Sequence, residues 1–137
     1  MSGVLAELSS LHLVGVALGA GLGAVCRAAV DRGVVARLGA TRLPWATLAV
    51  NVLGSLLLGL ALGWSAGAAC ESAATIELIV GTGFAGGLTT YSTFSNESFQ
   101  LLREGKPRDA VGYGALTIGL ALAALTFGIA VGSRLSG

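Results

Sequence analysis

Four long apolar stretches constrain the fold of this chain more than any other feature. They predict membrane spans at about residues 11–31, 45–69, 76–101 and 109–133, since a helix needs about 20 largely apolar residues to cross a bilayer. A soluble domain carries roughly 25% charged residues, whereas this chain of 137 residues carries 11%. The sequence therefore predicts an all-α membrane protein in which residues 1–137 form a single domain of four transmembrane helices.

Charge, cysteine content and the N-terminus narrow the options further. The formal net charge of +1 gives no sign of a nucleic-acid partner, so none is expected. Cys26 and Cys70 are expected to stay unpaired. The first ten residues contain Glu7 but no Lys or Arg, whereas a signal peptide begins with a positively charged region. The first span is therefore expected to be a retained helix.

A glycine-rich stretch interrupts the third span. Residues 81–98 read GTGFAGGLTTYSTFSNES and begin with G-x-G-x-x-G. That fingerprint indicates a dinucleotide site only inside a βαβ unit, and here membrane spans flank it. A break in a membrane helix fits better, because unwound backbone must be buried in protein or line a cavity, and freed carbonyls can bind a cation. A continuous helix with tightly packed glycines is the alternative, and composition alone leaves both open.

Small residues recur every four positions on the first two spans. Such ridges let helix backbones approach closely and predict a compact bundle. The residues are Gly15, Gly19 and Gly23 on the first span and Ser55, Gly59, Gly63 and Gly67 on the second.

A few polar residues interrupt the spans, where they usually face the interior or a water-filled route. Asn51 suits either an interhelical hydrogen bond or such a route. Arg27 is expected either to snorkel to the interface or to cap broken backbone. Tyr113 and Thr117 lie four residues apart and hence on one face of the fourth span.

Residues 83–95, GFAGGLTTYSTFS, resemble the signature of the Fluc family of microbial fluoride channels, also called CrcB proteins. Residues 23–27 resemble the G-x-x-x-R of its first helix. Residues 45–55 resemble its second-helix pattern around a valine-asparagine pair. The likeness covers nearly the whole chain, including its length and number of spans.

The resemblance implies a passive channel that exports fluoride from the cytoplasm and limits its toxicity. It implies an antiparallel dimer of four-helix subunits with two fluoride pores. A structural sodium ion, which is not transported, is implied at the dimer centre on the backbone carbonyls of Gly86 and Thr89. Tyr91 and Phe94 correspond to rings whose edges face fluoride. The family usually has Phe at the first of these positions, so Tyr91 departs from its pattern.

The resemblance also implies roles for other polar residues. Asn51 corresponds to a hydrogen-bond donor to fluoride, Arg27 to a structural brace, and Glu97 to a vestibule glutamate. Ala121 falls on the next position of a polar track along the fourth helix and lacks a hydroxyl, so the track is expected to be shorter here. The remaining polar pore positions are Ser92, Thr93, Tyr113 and Thr117.

Two other classes of function remain open. A four-helix proton-coupled exporter needs a membrane-embedded carboxylate, but the cores of the first, second and fourth spans contain none, and Glu97 lies just beyond the uncharged part of the third. A structural membrane subunit has no need of a hydroxyl-rich glycine stretch. An enzyme is not expected, since the chain has one His and neither H-E-x-x-H nor G-x-S-x-G.

The distribution of Lys and Arg predicts the orientation in the plasma membrane. Four spans place the 1–2 and 3–4 connections on one side of the membrane and both termini on the other. Outside the spans, the side with the termini carries only Arg134. By the positive-inside rule, the 1–2 and 3–4 connections are expected in the cytoplasm and both termini outside. A fixed orientation favours pairing with an oppositely oriented paralogue, as the resemblance implies for some family members, over a dual-topology homodimer. The basic residues of the two connections are Arg32, Arg37, Arg42, Arg103, Lys106 and Arg108.

Overall fold

The computed structural model describes residues 10–39, 41, 43–68 and 72–136. Within these residues the backbone is helical almost throughout and contains no strand, so the predicted all-helical fold class is confirmed. Three helices in the described part of the chain are long and apolar enough to cross a membrane. They are α1 (Ser10–Leu38), α2 (Trp45–Gly67) and α6 (Pro107–Leu135).

The single domain predicted over residues 1–137 stays a prediction. It includes residues 1–9 and 137, which lie outside the described residues, as do Cys70 and the last residue of the predicted span 45–69. Cys26 is exposed and forms no disulfide.

The third predicted span consists of several shorter elements instead of one long α-helix. It begins as α3 (Ala73–Ile76), continues as a π-helix, π1 (Glu77–Ala85), and ends as the short helix α4 (Gly86–Leu88). After two extended residues the chain resumes as α5 (Tyr91–Arg103). A π-helix of this length is unusual, since most π-helical segments are single-turn bulges and many lie at functional sites.

The helical path stops at Thr89 and Thr90, just after the glycines. Thr89 has φ −75° and ψ 159°, and Thr90 has φ −150° and ψ 123°. β-Branched residues suit extended backbone, and the Thr90 hydroxyl then accepts a hydrogen bond from the backbone N–H of Thr93 at 3.2 Å, which caps α5. We call this two-residue segment the interruption.

The glycines themselves are helical and mediate close packing. A Cβ atom at Gly19 of α1 would lie 2.7 Å from the Ile79 carbonyl oxygen, and one at Gly83 of π1 would lie 2.9 Å from the Val16 carbonyl oxygen. The ridge on α1 thus packs directly on the backbone of π1 and α4. The same kind of contact joins α2 to α6, where a Cβ at Gly128 would lie 2.6 Å from the Leu56 carbonyl oxygen.

We expect Gly23→Ala to lower the free energy of unfolding by about 2 kcal/mol, a typical cost of overpacking. Its added methyl group would lie 2.7 Å from the Leu88 backbone nitrogen and would also meet the Phe84 carbonyl. Gly21→Ala is the matched control, because nothing lies within 4 Å of its Cβ position. Thermal unfolding of the detergent-solubilised variants measures both. Equal midpoints for the two variants would contradict this packing.

Large apolar side chains are exposed on the outer faces of α1 and α6. Leu18 and Leu22 on α1 are 66% and 63% exposed, and Phe127 on α6 is 64% exposed. Such an apolar surface suits contact with lipid hydrocarbon or with another helix.

Candidate functional site

Asn51 on α2 holds the interruption from one side. Its Oδ1 atom accepts a hydrogen bond from the Thr90 backbone N–H at 2.8 Å, and its Nδ2 atom donates to the Thr90 carbonyl at 3.2 Å. The side chain therefore replaces backbone partners that the interruption removes. An amide nitrogen carries two hydrogens, so one donor of the buried Asn51 side chain remains for another acceptor.

Arg27 on α1 contacts the same segment. Its guanidinium group donates from NH1 to the Thr89 carbonyl oxygen at 2.9 Å. The sequence left two roles open for Arg27, snorkelling to the interface and capping of broken backbone. In the structure Arg27 contacts the interrupted backbone.

A groove lies along the interruption, with a volume of about 550 Å³. We call it the central groove. It brings together six of the residues that the sequence singled out: Asn51, Gly86, Thr89, Tyr91, Phe94 and Thr117. Ala121 also lines the groove. The track position that lacks a hydroxyl in this chain is therefore part of the groove wall. Among the described residues that line it there is no Lys, Arg, Asp or Glu.

Thr117 on α6 has a hydroxyl oxygen that is buried and makes no hydrogen bond within the described part of the chain. The residue is 4% exposed and lines the central groove. A buried hydroxyl without a partner costs free energy, and the neighbouring Tyr113 hydroxyl on the same helix is the polar group that interacts with it.

Three aromatic rings form a row beside the groove. The ring centroids of Tyr91 and Phe94 are 6.1 Å apart, and those of Phe94 and Tyr113 are 5.3 Å apart. Tyr91 is 81% exposed, while Tyr113 is fully buried. The row therefore runs from the open face of the chain to its core, and Tyr113 lies behind Phe94 instead of on the groove wall.

Glu97 on α5 lies at the buried end of this row. Its two carboxylate oxygens accept hydrogen bonds from the Tyr113 hydroxyl and the Thr47 hydroxyl, each at 2.8 Å. Glu97 also lines a cavity of about 270 Å³, the Glu97 cavity, together with Arg27 and Asp31.

Ser92 and Thr93 are exposed and lie at the start of α5. Their hydroxyls are 3.3 and 3.0 Å from the Thr90 hydroxyl. Thr93 lines the Glu97 cavity instead of the central groove. Both residues thus lie in the first turn of α5, beside the capping Thr90 hydroxyl. Their role in a pore stays a prediction.

Three further hydroxyls were not predicted as site residues. Thr47 binds Glu97, and Ser55 and Thr82 line the central groove. Ser55 was noted only as a small packing residue. The sequence could have indicated Thr47 through its spacing, because it lies four residues before Asn51 and therefore on the same face of α2.

The carbonyls of Gly86 and Thr89 are oxygen ligands of the kind that a sodium ion takes, but each already accepts one hydrogen bond, from the Thr89 hydroxyl at 3.3 Å and from Arg27 at 2.9 Å. The Thr90 N–H, which would bond the Gly86 carbonyl in a continuous α-helix, bonds Asn51 instead. Both residues lie at the C-terminal end of a helix, where carbonyls carry partial negative charge, and both line the central groove. Carbonyls at a helix break are known sodium ligands. Within the described residues, no group of three or more His, Cys, Asp or Glu could hold a metal.

These features define a small helical membrane protein with a polar and aromatic groove beside an interrupted helical path. Residues 14–129 match the sequence profile described as CrcB-like protein, Camphor Resistance (CrcB). The chain belongs to this family, and the resemblance inferred from its motifs is confirmed.

Curated relatives carry a more specific name. The "Fluoride-specific ion channel FluC" of Erythrobacter litoralis is 42% identical over 117 residues, which cover 83% of this chain and 86% of that protein. The protein of the same name from Deinococcus radiodurans is 42% identical over 119 residues, covering 87% and 93%. That from Hahella chejuensis is 40% identical over 124 residues, covering 90% and 96%. Together with the three apolar helices, this similarity confirms the membrane localisation.

Proposed function

We propose that this protein is a fluoride-selective channel that conducts fluoride passively out of the cytoplasm, across the plasma membrane, and so limits its toxicity. The observation that carries the proposal is the central groove, whose lining combines Asn51, which keeps one free donor, with the Phe94 ring and no charged side chain among its described residues. The name of the curated relatives agrees with it.

The chemistry of the groove suits a small, strongly hydrated anion. A selective pore must replace much of the hydration shell with hydrogen-bond donors, and conduction needs sites that release the ion again. Amide and hydroxyl donors and aromatic ring edges carry partial positive charge without a fixed cation. The lack of Lys and Arg among the described groove residues favours conduction over tight binding.

An antiparallel dimer would complete this site. One chain leaves Tyr91 81% exposed at the groove, and an oppositely oriented subunit packed on that face would cover it. Each chain offers two carbonyl oxygens, of Gly86 and Thr89, whereas hard cations take about six oxygen ligands. Carbonyls from two chains around a central, non-transported sodium ion come closer to such a shell.

We expect replacement of sodium by a bulky organic cation, such as N-methylglucamine, to weaken the dimer and reduce fluoride flux. An ion that cannot fit between the carbonyls would leave their partial charges unbalanced. Size-exclusion chromatography and flux assays in matched salts measure both, and return to sodium is the control. Unchanged dimer stability and flux in the absence of sodium would count against a structural ion.

We further propose a fixed orientation, with the connections cytoplasmic and the termini outside. The six basic residues assigned to the connections, against one at the terminal side, support it; of these, Arg42 lies outside the described residues. A chain inserted in one orientation cannot form an antiparallel dimer with itself, so this proposal includes a heterodimer with an oppositely oriented paralogue. The alternative is a dual-topology homodimer.

Cysteine accessibility in intact cells tests the orientation. With Cys26 and Cys70 replaced, we expect an impermeant thiol reagent to label Ser136→Cys and to leave Lys106→Cys unlabelled until the membrane is permeabilised. Equal external labelling of both variants would reject the fixed orientation and support the dual-topology homodimer.

Fluoride efflux from liposomes tests the proposed function. Vesicles that contain the purified protein, alone or with its partner subunit, are loaded with fluoride or chloride, and release is followed with ion-selective electrodes. We expect fast release of fluoride and none of chloride. A folded preparation that releases neither ion, or both equally, would overturn the proposal.

A further inference from the structure

The contact that Tyr91 makes with another described side chain is the ring pair with Phe94, and its hydroxyl makes no hydrogen bond within the described residues. It differs in this from Tyr113 at the other end of the aromatic row, whose hydroxyl donates to Glu97 at 2.8 Å. The Tyr91 side chain is 81% exposed and lies on the wall of the central groove. The row therefore has a phenol with a protein partner at its buried end and one that faces solvent, without a described protein partner, at its open end.

The open end does not stay exposed to water if the groove is part of a membrane channel. A tyrosine hydroxyl that becomes buried usually finds a hydrogen-bond partner. In water the Tyr91 phenol is solvated, but beneath a second subunit or against lipid it needs an acceptor inside the groove. That acceptor can come from the groove wall, from the facing subunit, from a bound water or from the permeating ion.

The groove wall of this chain offers few acceptors. Its described residues include no carboxylate. The Asn51 oxygen accepts from the Thr90 backbone N–H at 2.8 Å, and the Thr90 hydroxyl accepts from the Thr93 backbone N–H at 3.2 Å. The carbonyl of Thr89 accepts from Arg27. The Gly86 carbonyl accepts from the Thr89 hydroxyl at 3.3 Å. These acceptors on the wall are thus already engaged, and an anion that is itself only an acceptor would give the phenol a partner.

We propose that the Tyr91 hydroxyl donates a hydrogen bond to fluoride and thereby sets the affinity and selectivity of the pore. This inference rests on the proposed function. It assigns the hydroxyl a role separate from that of the ring, since the Phe94 ring 6.1 Å away offers an edge but no O–H donor. A phenol is a neutral donor at physiological pH, so it strengthens binding without adding a fixed charge.

Tyr91→Phe isolates this role because it removes the hydroxyl and keeps the ring. We expect the half-saturating fluoride concentration for flux to rise about fivefold to tenfold, which corresponds to a hydrogen bond of about 1.0–1.4 kcal/mol at RT of roughly 0.59 kcal/mol. We expect the maximal flux not to fall, because a weaker site releases the ion faster. Phe99→Tyr, which adds a hydroxyl to an exposed ring on the same helix, is the matched control and is expected to change neither quantity.

Two additional readouts separate the possible outcomes. Calorimetric titration of the purified wild-type and Tyr91→Phe proteins with sodium fluoride measures binding independently of flux. If the wild-type protein binds fluoride but does not conduct it, the proposed channel function is wrong, and the difference in affinity still tests the hydroxyl. Size-exclusion chromatography measures the dimer. Unchanged fluoride affinity in Tyr91→Phe would overturn the inference. A weaker dimer with unchanged affinity would also overturn it and assign the hydroxyl to the partner subunit instead.

Discussion

Asn51→Asp is expected to reduce fluoride flux by about two orders of magnitude or more. The substitution keeps the oxygen that accepts from the Thr90 backbone N–H but replaces the Nδ2 donors with a negative charge. Two like charges about 4 Å apart repel by about 4 kcal/mol at an effective dielectric constant of about 20, which is ample for this loss. Electrode-recorded efflux from liposomes measures it.

The control for Asn51→Asp is Asn96→Asp, which makes the same chemical change at an exposed position on α5. We expect the control to conduct like the wild type and both variants to elute as intact dimers. If Asn51→Asp conducts normally while it remains folded, Asn51 is not part of the fluoride pathway.

Phe94→Ile is expected to reduce fluoride flux at least tenfold. The substitution removes the middle ring of the row, whose centroid lies 6.1 Å from that of Tyr91 and 5.3 Å from that of Tyr113. The substitution removes the partially positive ring edge that would face the anion. It also removes two aromatic pairs, each of which contributes about 0.5–1.5 kcal/mol of interaction free energy. Isoleucine retains apolar volume, so the dimer should persist.

Phe99→Ile is the matched control for the ring. Phe99 lies on the same helix and is 57% exposed, and it does not line the central groove. We expect it to leave flux unchanged. Equal flux in Phe94→Ile, Phe99→Ile and the wild type would show that the Phe94 ring takes no part in conduction.

The helices could be predicted from the sequence because hydrophobicity and charge act locally. Apolar runs predicted α2 and α6 closely, whereas α1 continues to Leu38, beyond its predicted end at residue 31. The four-residue spacing of small residues predicted the close packing of α1 and α2. The position of the interruption was harder to predict. Glycine density suggested residues 81–87, but these residues are helical, with Gly83 and Gly87 packed closely on the α1 backbone, and the extended residues are Thr89 and Thr90.

The site depends on contacts that are distant in sequence, which limits what residue patterns can indicate. Arg27 and Thr89 are 62 residues apart, and Thr47 and Glu97 are 50 residues apart. Local physical reasoning left two roles open for Arg27 and did not single out Thr47. The family resemblance supplied Asn51, Phe94 and Thr117 together, and the fold brings these three residues to one groove.

The reversal potential of the fluoride current tests the central claim most directly, because it separates a passive fluoride channel from a proton-coupled exporter. Purified protein, alone or with its partner subunit, is placed in a planar bilayer with a tenfold fluoride gradient at equal chloride, first at symmetrical pH and then with a pH difference of one unit. Our account predicts a reversal potential of about 59 mV, the value for a singly charged ion at a tenfold gradient, at the fluoride equilibrium potential in both conditions. A reversal potential that shifts with the pH difference, or that follows chloride, would contradict it.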